Sequence, residues 1–293
     1  MALPPIPLDD EPLLDKICQL EPLPAVLMEL IAAVQTPDAK IDRIADLVEN
    51  EVCMSARVLS TINSTYYALP GKITSIRYAV SYLGMGEVYR IALSQSVVQS
   101  LAPTDPESLR EFSFHSYLTA LISKRVVRVI AKPPKAEEVY VAALLHDMGK
   151  LVYSRWFPEH AREIQRFSEE NRLSHSASEN ALGLPSHGEL GVKVCEHWRL
   201  PASIARACEF HELEHLQGLV DLDQADPSDV VVCASNALAN LMEPDVLAGK
   251  SELSAELQRV LALDHDSFSN FLDGVQASRL IAEQSVSQFG GIA

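Results

Sequence analysis

Apolar residues recur every three or four positions along almost the whole of this chain, and no stretch alternates as a half-buried strand would. In segment 24–35, Val26, Leu27, Leu30, Ile31 and Val34 share one helical face, and Thr36-Pro37 stops it. Asp38 or Lys40 opens the next helix, on Ile41, Ile44, Leu47 and Val48, and 54–65 repeats the pattern. Thr74 or Ser75 caps a helix through Ile76, Ala79, Val80 and Leu83, which Gly84-Met85-Gly86 interrupts before 87–101 resumes. Beyond a joint at Pro103-Thr104-Asp105-Pro106, helices are expected over 107–131, 136–154, 158–171, 174–181, 186–199 and 201–213. Ser228 or Asp229 then caps 229–242, and 251–261 and 266–288 follow. The expectation is an all-α protein, with an N-terminal helical lobe packed on a helical bundle and extra C-terminal helices.

Forty acidic residues against 24 basic ones give a net charge of −16, which argues against general nucleic-acid binding, since that rests on neutralising phosphates. The basic strip of Lys124, Arg125 and Arg128 reads as a solvated helix face. Apolar runs are shorter than a membrane span, and the Pro-rich, acidic start lacks the pattern of a signal peptide. Five cysteines without a CxxC suit a reduced cytosol, so a cytoplasmic location is expected; Cys208 and Cys233 read as core filling.

The chemistry concentrates at His146-Asp147, inside the apolar run VAALLHDMGKL. A buried carboxylate beside an imidazole needs a partner, and a metal ion is one that serves both. His115, with Glu111 one turn earlier, His187 in SHGELG, and His211 fall at successive gaps of 31, 41 and 24 residues counted through His146. Each gap spans about one helical excursion, so antiparallel packing can bring all four to one place in a bundle. Taken singly, His115 reads as a half-buried histidine and His187 as a turn stabiliser. His160, His175, His197, His215 and His265 fit no convergent pattern and read as surface or packing residues. Imidazole and carboxylate donors suit Fe, Mn, Zn or Mg, and the donor types do not select among them.

LLHDMGKL, the upstream His115 and the downstream HGELG and HWRLPASIARA resemble the HD superfamily of metal-dependent phosphohydrolases. More narrowly, Leu23-Pro24, Ala56-Arg57-Val58-Leu59 running into Ile62-Asn63-Ser64, Ser75-Ile76, Leu83-Gly84 and the VVCASNALA helix resemble HDOD, the HD-related output domain of bacterial signalling proteins. The resemblance spans roughly 20–240. It implies a Pro-rich segment over 1–19, an HDOD domain over 20–240 (N-terminal lobe 20–102, HD-like lobe 105–240) and a helical extension over 241–293. It also implies metal ligands at His115, His146 and Asp147, with a later Asp whose matching position is Asn236. The related HD-GYP phosphodiesterases add histidines matching His187 and a His-His pair, which reads Phe210-His211 here, and their GYP loop is replaced by FHELEHLQG. The metal set carried forward is His115, His146, Asp147, His187 and His211, with Lys150 as candidate phosphate contact and no residue assigned to catalysis.

Two functions follow from that resemblance. One is a regulatory output module that binds protein partners on separate chains and keeps a degenerate metal site. The other is a metal-dependent phosphohydrolase of nucleotides or phosphate esters, with Lys150 or Arg155 neutralising phosphate. A scaffold with no ligand site is the third reading, and the tail residues Leu261, Leu263, Phe268, Phe271, Leu272, Val275 and Leu280 offer a cover for the bundle or a homodimer seam.

Overall fold

The computed structural model describes residues 6, 11–21, 23, 25–34, 40–50, 52–63, 69–101, 105–217, 225–242 and 250–289. Thr36, Pro37, Asp38, Ser64, Pro103 and the final GGIA lie outside them. Among the described residues every regular element is an α-helix. The first part of the chain holds α1 Glu11–Cys18, α2 Ala25–Val34, α3 Ile41–Glu49, α4 Val52–Ile62, α5 Ile76–Leu83 and α6 Met85–Leu101. The second part holds α7 Pro106–Val126, α8 Ala136–Leu145, α9 Met148–Trp156, α10 Pro158–Asn171, α11 His175–Ala181, α12 His187–Trp198 and α13 Ala202–Phe210. It ends with α14 Glu214–Gln217, α15 Pro227–Leu241, α16 Lys250–Leu261 and α17 His265–Phe289. The all-α expectation holds.

Three boundaries differ from the sequence reading. Asp226, and not Ser228 or Asp229, caps α15 by accepting from the Ser228 N–H, and Pro227 takes the first helical position, where its missing N–H costs nothing. The helix expected to 131 ends at Val126 and passes into turns. Most consequentially, the helix expected over 136–154 is broken at His146-Asp147. Asp147 adopts φ −96° and ψ 10°, outside the helical region, and α9 starts afresh at Met148.

The chain forms two compact units, Glu21–Ser100 with Gln284–Ala293, and Met1–Leu20 with Leu101–Glu283. In the first, α3 packs against α2, α4 and α5 and buries Ile44, Ala45 and Val48. Asn63 explains the Ile62-Asn63-Ser64 string: its amide donates to the Leu59 and Ile73 carbonyls and accepts from the Ile73 N–H, at 2.7–2.8 Å. That fixes both ends of the connection from α4 to Ser75, which caps α5 by accepting from the Tyr78 N–H.

In the second unit α8 is apolar on every face, with Val139 through Leu145 all buried, and α7, α13 and α15 surround it. Helices α7 and α15 pack against each other, and buried Ser113 and Thr119 on α7 and Ser235 on α15 return their O–H groups to the carbonyl four residues back. Such side chains keep the interface thin while satisfying their own polarity. A second close contact joins α9, α12 and α13. A Cβ on Gly149 would stand 1.8 Å from the His187 carbonyl oxygen, and one on Gly188 would stand 2.5 Å from that of Cys208. Backbone meets backbone here, so no side-chain adjustment makes room.

Gly149→Ala is therefore expected to lower stability by about 1–3 kcal/mol or more, measured by urea unfolding. Gly71→Ala, where a Cβ meets nothing within 4 Å, should stay within about 0.5 kcal/mol.

Candidate metal centre

The break between α8 and α9 sets the site. It places His146 and Asp147 on a turn in the interior, at 0% and 2% exposure. His146 Nδ1 donates to the Ala143 carbonyl at 2.6 Å, so in the neutral ring its Nε2 is a lone pair. A capping box on α12, in which Ser186 and Glu189 bond each other's backbone N–H, sets His187 as the first residue of that helix. His211, at the end of α13, donates from Nδ1 to the Cys208 and Ala207 carbonyls at 2.9 and 3.1 Å. His115 comes from α7 and Asn236 from α15.

These side chains converge on Asp147. Its Oδ2 lies 3.3 Å from His146 Nε2, 3.6 Å from His115 Nε2 and 2.6 Å from the Lys150 ammonium. Its Oδ1 faces His187 Nε2 at 3.1 Å and His211 Nε2 at 3.5 Å. Two sets of possible ligand atoms result, His115-His146-Asp147 and Asp147-His187-His211, each within 4.8 Å. The five residues singled out in the sequence thus meet at one place. Lys150 joins them through Asp147, whereas Arg155 turns to the surface and lies over the Trp156 ring. Glu111 is exposed.

The residues fit a divalent ion. His146 Nε2 and Asp147 Oδ1 are buried without a well-formed hydrogen bond, an unusual state for polar atoms at such depth. His187 Nδ1 is held by the Glu179 carboxylate at 2.9 Å, the carboxylate–histidine arrangement that orients metal-ligating imidazoles. His187 and His211 Nε2 approach each other to 2.9 Å, which requires a proton or a cation between them.

The electrostatics agree. Burial pulls His146 down to about 4, so that ring is neutral. Burial also opposes charge on His187, but the Glu179 carboxylate outweighs it and lifts the ring to about 10. Glu179 itself, despite its burial, is held at about 2 by His187 and His175. Burial works against the Asp147 carboxylate as well, yet His146 and Lys150 hold it well below the usual carboxylate range.

The HDOD domain family matches residues 20–213 of this sequence. The chain belongs to the HDOD family. An uncharacterised protein of Treponema pallidum is 22% identical over 197 residues, and this HDOD chain spans 67% of itself but 38% of that relative. An HDOD domain protein of unknown function from Geobacter sulfurreducens shares the fold with a TM-score of 0.74 and 20% identity, covering 96% of this chain and 98% of that one. A candidate phosphohydrolase from Shewanella amazonensis matches at 0.68 and 18%, covering 95% of this chain and 99% of that one. At these identities the likeness carries the fold alone.

Relative to the HDOD sequence reading, the structure adds three residues and corrects one. His175, taken as a surface or packing residue, lies with Nε2 3.3 Å from Glu179 and its ring 5.4 Å from that of His187. Glu179 is fully buried and also accepts the His187 backbone N–H. The four-residue spacing of His175 and Glu179 was the available signal, but nothing in it pointed to His187. Glu212 brings Oε1 to 3.5 Å from His211 Nε2, where it also accepts from Ser176. Phe210 turns to Arg206 and His215.

A pH dependence follows. Below about pH 10 His187 carries a second proton in the protein alone, and an ion on Nε2 must displace it. Binding at pH 7 should release about one proton and tighten about tenfold per pH unit up to that range. Calorimetric titration in buffers of different ionisation enthalpy measures it; equal heats in all buffers would contradict the assignment.

Proposed function

We propose that this chain is a regulatory output module that acts by binding a protein partner, and that its HD centre has lost catalysis while retaining a divalent ion. The observation that carries the reading is Asn236. The family resemblance puts a carboxylate ligand there, and an uncharged amide, a weaker ligand, stands in its place at 2.9 Å from His115. HDOD membership supports the signalling role. So does the apolar exposure on the N-terminal unit, where Tyr78 and Tyr82 stack on α5 at half exposure and Met28 and Ile41 are also open to solvent. Among the described residues no helix is long and apolar enough to cross a membrane.

A second reading, phosphoester hydrolysis, draws on Lys150. Its ammonium is partly exposed beside Asp147, where it would neutralise a phosphate oxygen. Bound to this cluster, a divalent ion would polarise the phosphoryl group and acidify water. His146 and Asp147 would hold it, and Glu179 would keep His187 oriented.

Hydrolysis of a generic phosphodiester and a phosphomonoester with added Mn²⁺ separates the two. The module reading expects no turnover above that of the ion alone. Turnover that disappears in the His146→Ala, Asp147→Ala double variant would overturn it.

A further inference from the structure

We propose that this chain holds one divalent cation in the half of the cluster formed by Asp147, His187 and His211, and that Asn236 closes the other half by keeping His115 as a hydrogen-bond donor. The inference rests on the retained ion of the preceding section and adds where it sits.

The Asn236 amide can be oriented from its partners. One end lies 3.3 Å from the His211 carbonyl oxygen, which only accepts, so that end is the NH₂ group. The other end is then the amide oxygen, 2.9 Å from His115 Nε2. An amide oxygen also only accepts, so His115 Nε2 carries the proton and must give up this hydrogen bond before it can offer a lone pair to a metal. The remaining carboxylate oxygen on that side, Asp147 Oδ2, is already engaged by the Lys150 ammonium at 2.6 Å. Two of the three ligand atoms in the HD-type half are thus committed to hydrogen bonds.

The opposite half is arranged the other way. Backbone carbonyls hold the Nδ1 proton of His211, and Glu179 holds that of His187, so both Nε2 atoms are presented to Asp147 Oδ1. Their 2.9 Å separation suits neighbouring ligands on one ion, since two bonds of about 2.1 Å at a right angle span about 3.0 Å. Charge favours the same place. Asp147, Glu179 and Glu212 gather around these two imidazoles, and Lys150 is the cation that faces them. A divalent ion there balances the excess.

The test is Co²⁺ binding to the full chain, by calorimetry and by the visible bands of the bound ion. The expected result is one ion per chain, weakened about 100-fold or more by His187→Ala or His211→Ala and less than about 3-fold by His115→Ala. Asn236→Asp should admit a second ion, and adding His115→Ala should remove it. Should either buried-histidine variant fail to fold, the Asn236→Asp count decides: two ions support the placement and one overturns it. Binding that depends on His115 as strongly as on His187 overturns the placement while leaving a retained ion. Failure of the wild-type chain to bind Co²⁺, Mn²⁺ or Zn²⁺ overturns the retained ion and the placement together.

Discussion

A carboxylate at 2% exposure keeps its charge only if the protein replaces the water it has lost, and around Asp147 four elements do so. Lys150 comes from the helix that Asp147 begins, His146 from the preceding residue, His187 from the start of α12 and His211 from the end of α13. The surrounding architecture has to bring those elements within about 4 Å of one point, which is demanding because helices usually approach no closer than about 8 Å. The chain meets that demand with a helix break and three glycines. Gly149, Gly188 and Gly191 let α9, α12 and α13 touch through their backbones and the Cys208 side chain. His115 on α7 and Asn236 on α15 come within a hydrogen bond of each other.

His146, His187 and His211 each have the second nitrogen fixed, and the nature of the fixing group differentiates them. Ala143 and Cys208 carbonyls are neutral acceptors that select a tautomer, whereas Glu179 adds a full charge behind His187. Asn236 works in the opposite sense, since it engages the nitrogen that would otherwise face the centre. A single amide in place of a carboxylate therefore changes more than the local charge. It joins His115 on α7 and the His211 carbonyl at the end of α13 to α15 in one neutral hydrogen-bond network.

Much of this was legible without coordinates. Periodicity alone produced the all-α class and most helix limits, because a 3.6-residue apolar repeat is a local property of the chain. His146 and Asp147 stand out because histidine beside aspartate in an apolar run demands a partner, and His115, His187 and His211 because gaps of 31, 41 and 24 residues each span about one helical excursion. The misreadings share a cause. The apolar pattern of 136–154 continues straight through His146-Asp147, so nothing local announced that the helix stops there. Asp226 was passed over as a cap because three polar residues around Pro227 compete for the position.

His175, Glu179 and Glu212 stayed hidden for a different reason. Each is an ordinary polar residue on a short helix or its edge, and each matters only through the way a nearby imidazole ring comes to point. The sequence by itself determined the helices and the His-Asp pair, since both are read from residue type and spacing; that Asn236 stands at a ligand position is what the family resemblance implies. Only the tertiary structure decided which nitrogen of each imidazole faces Asp147 and which carboxylates stand behind them. Hydrogen-bond direction depends on where distant backbone carbonyls and side chains come to rest, and no local pattern encodes that.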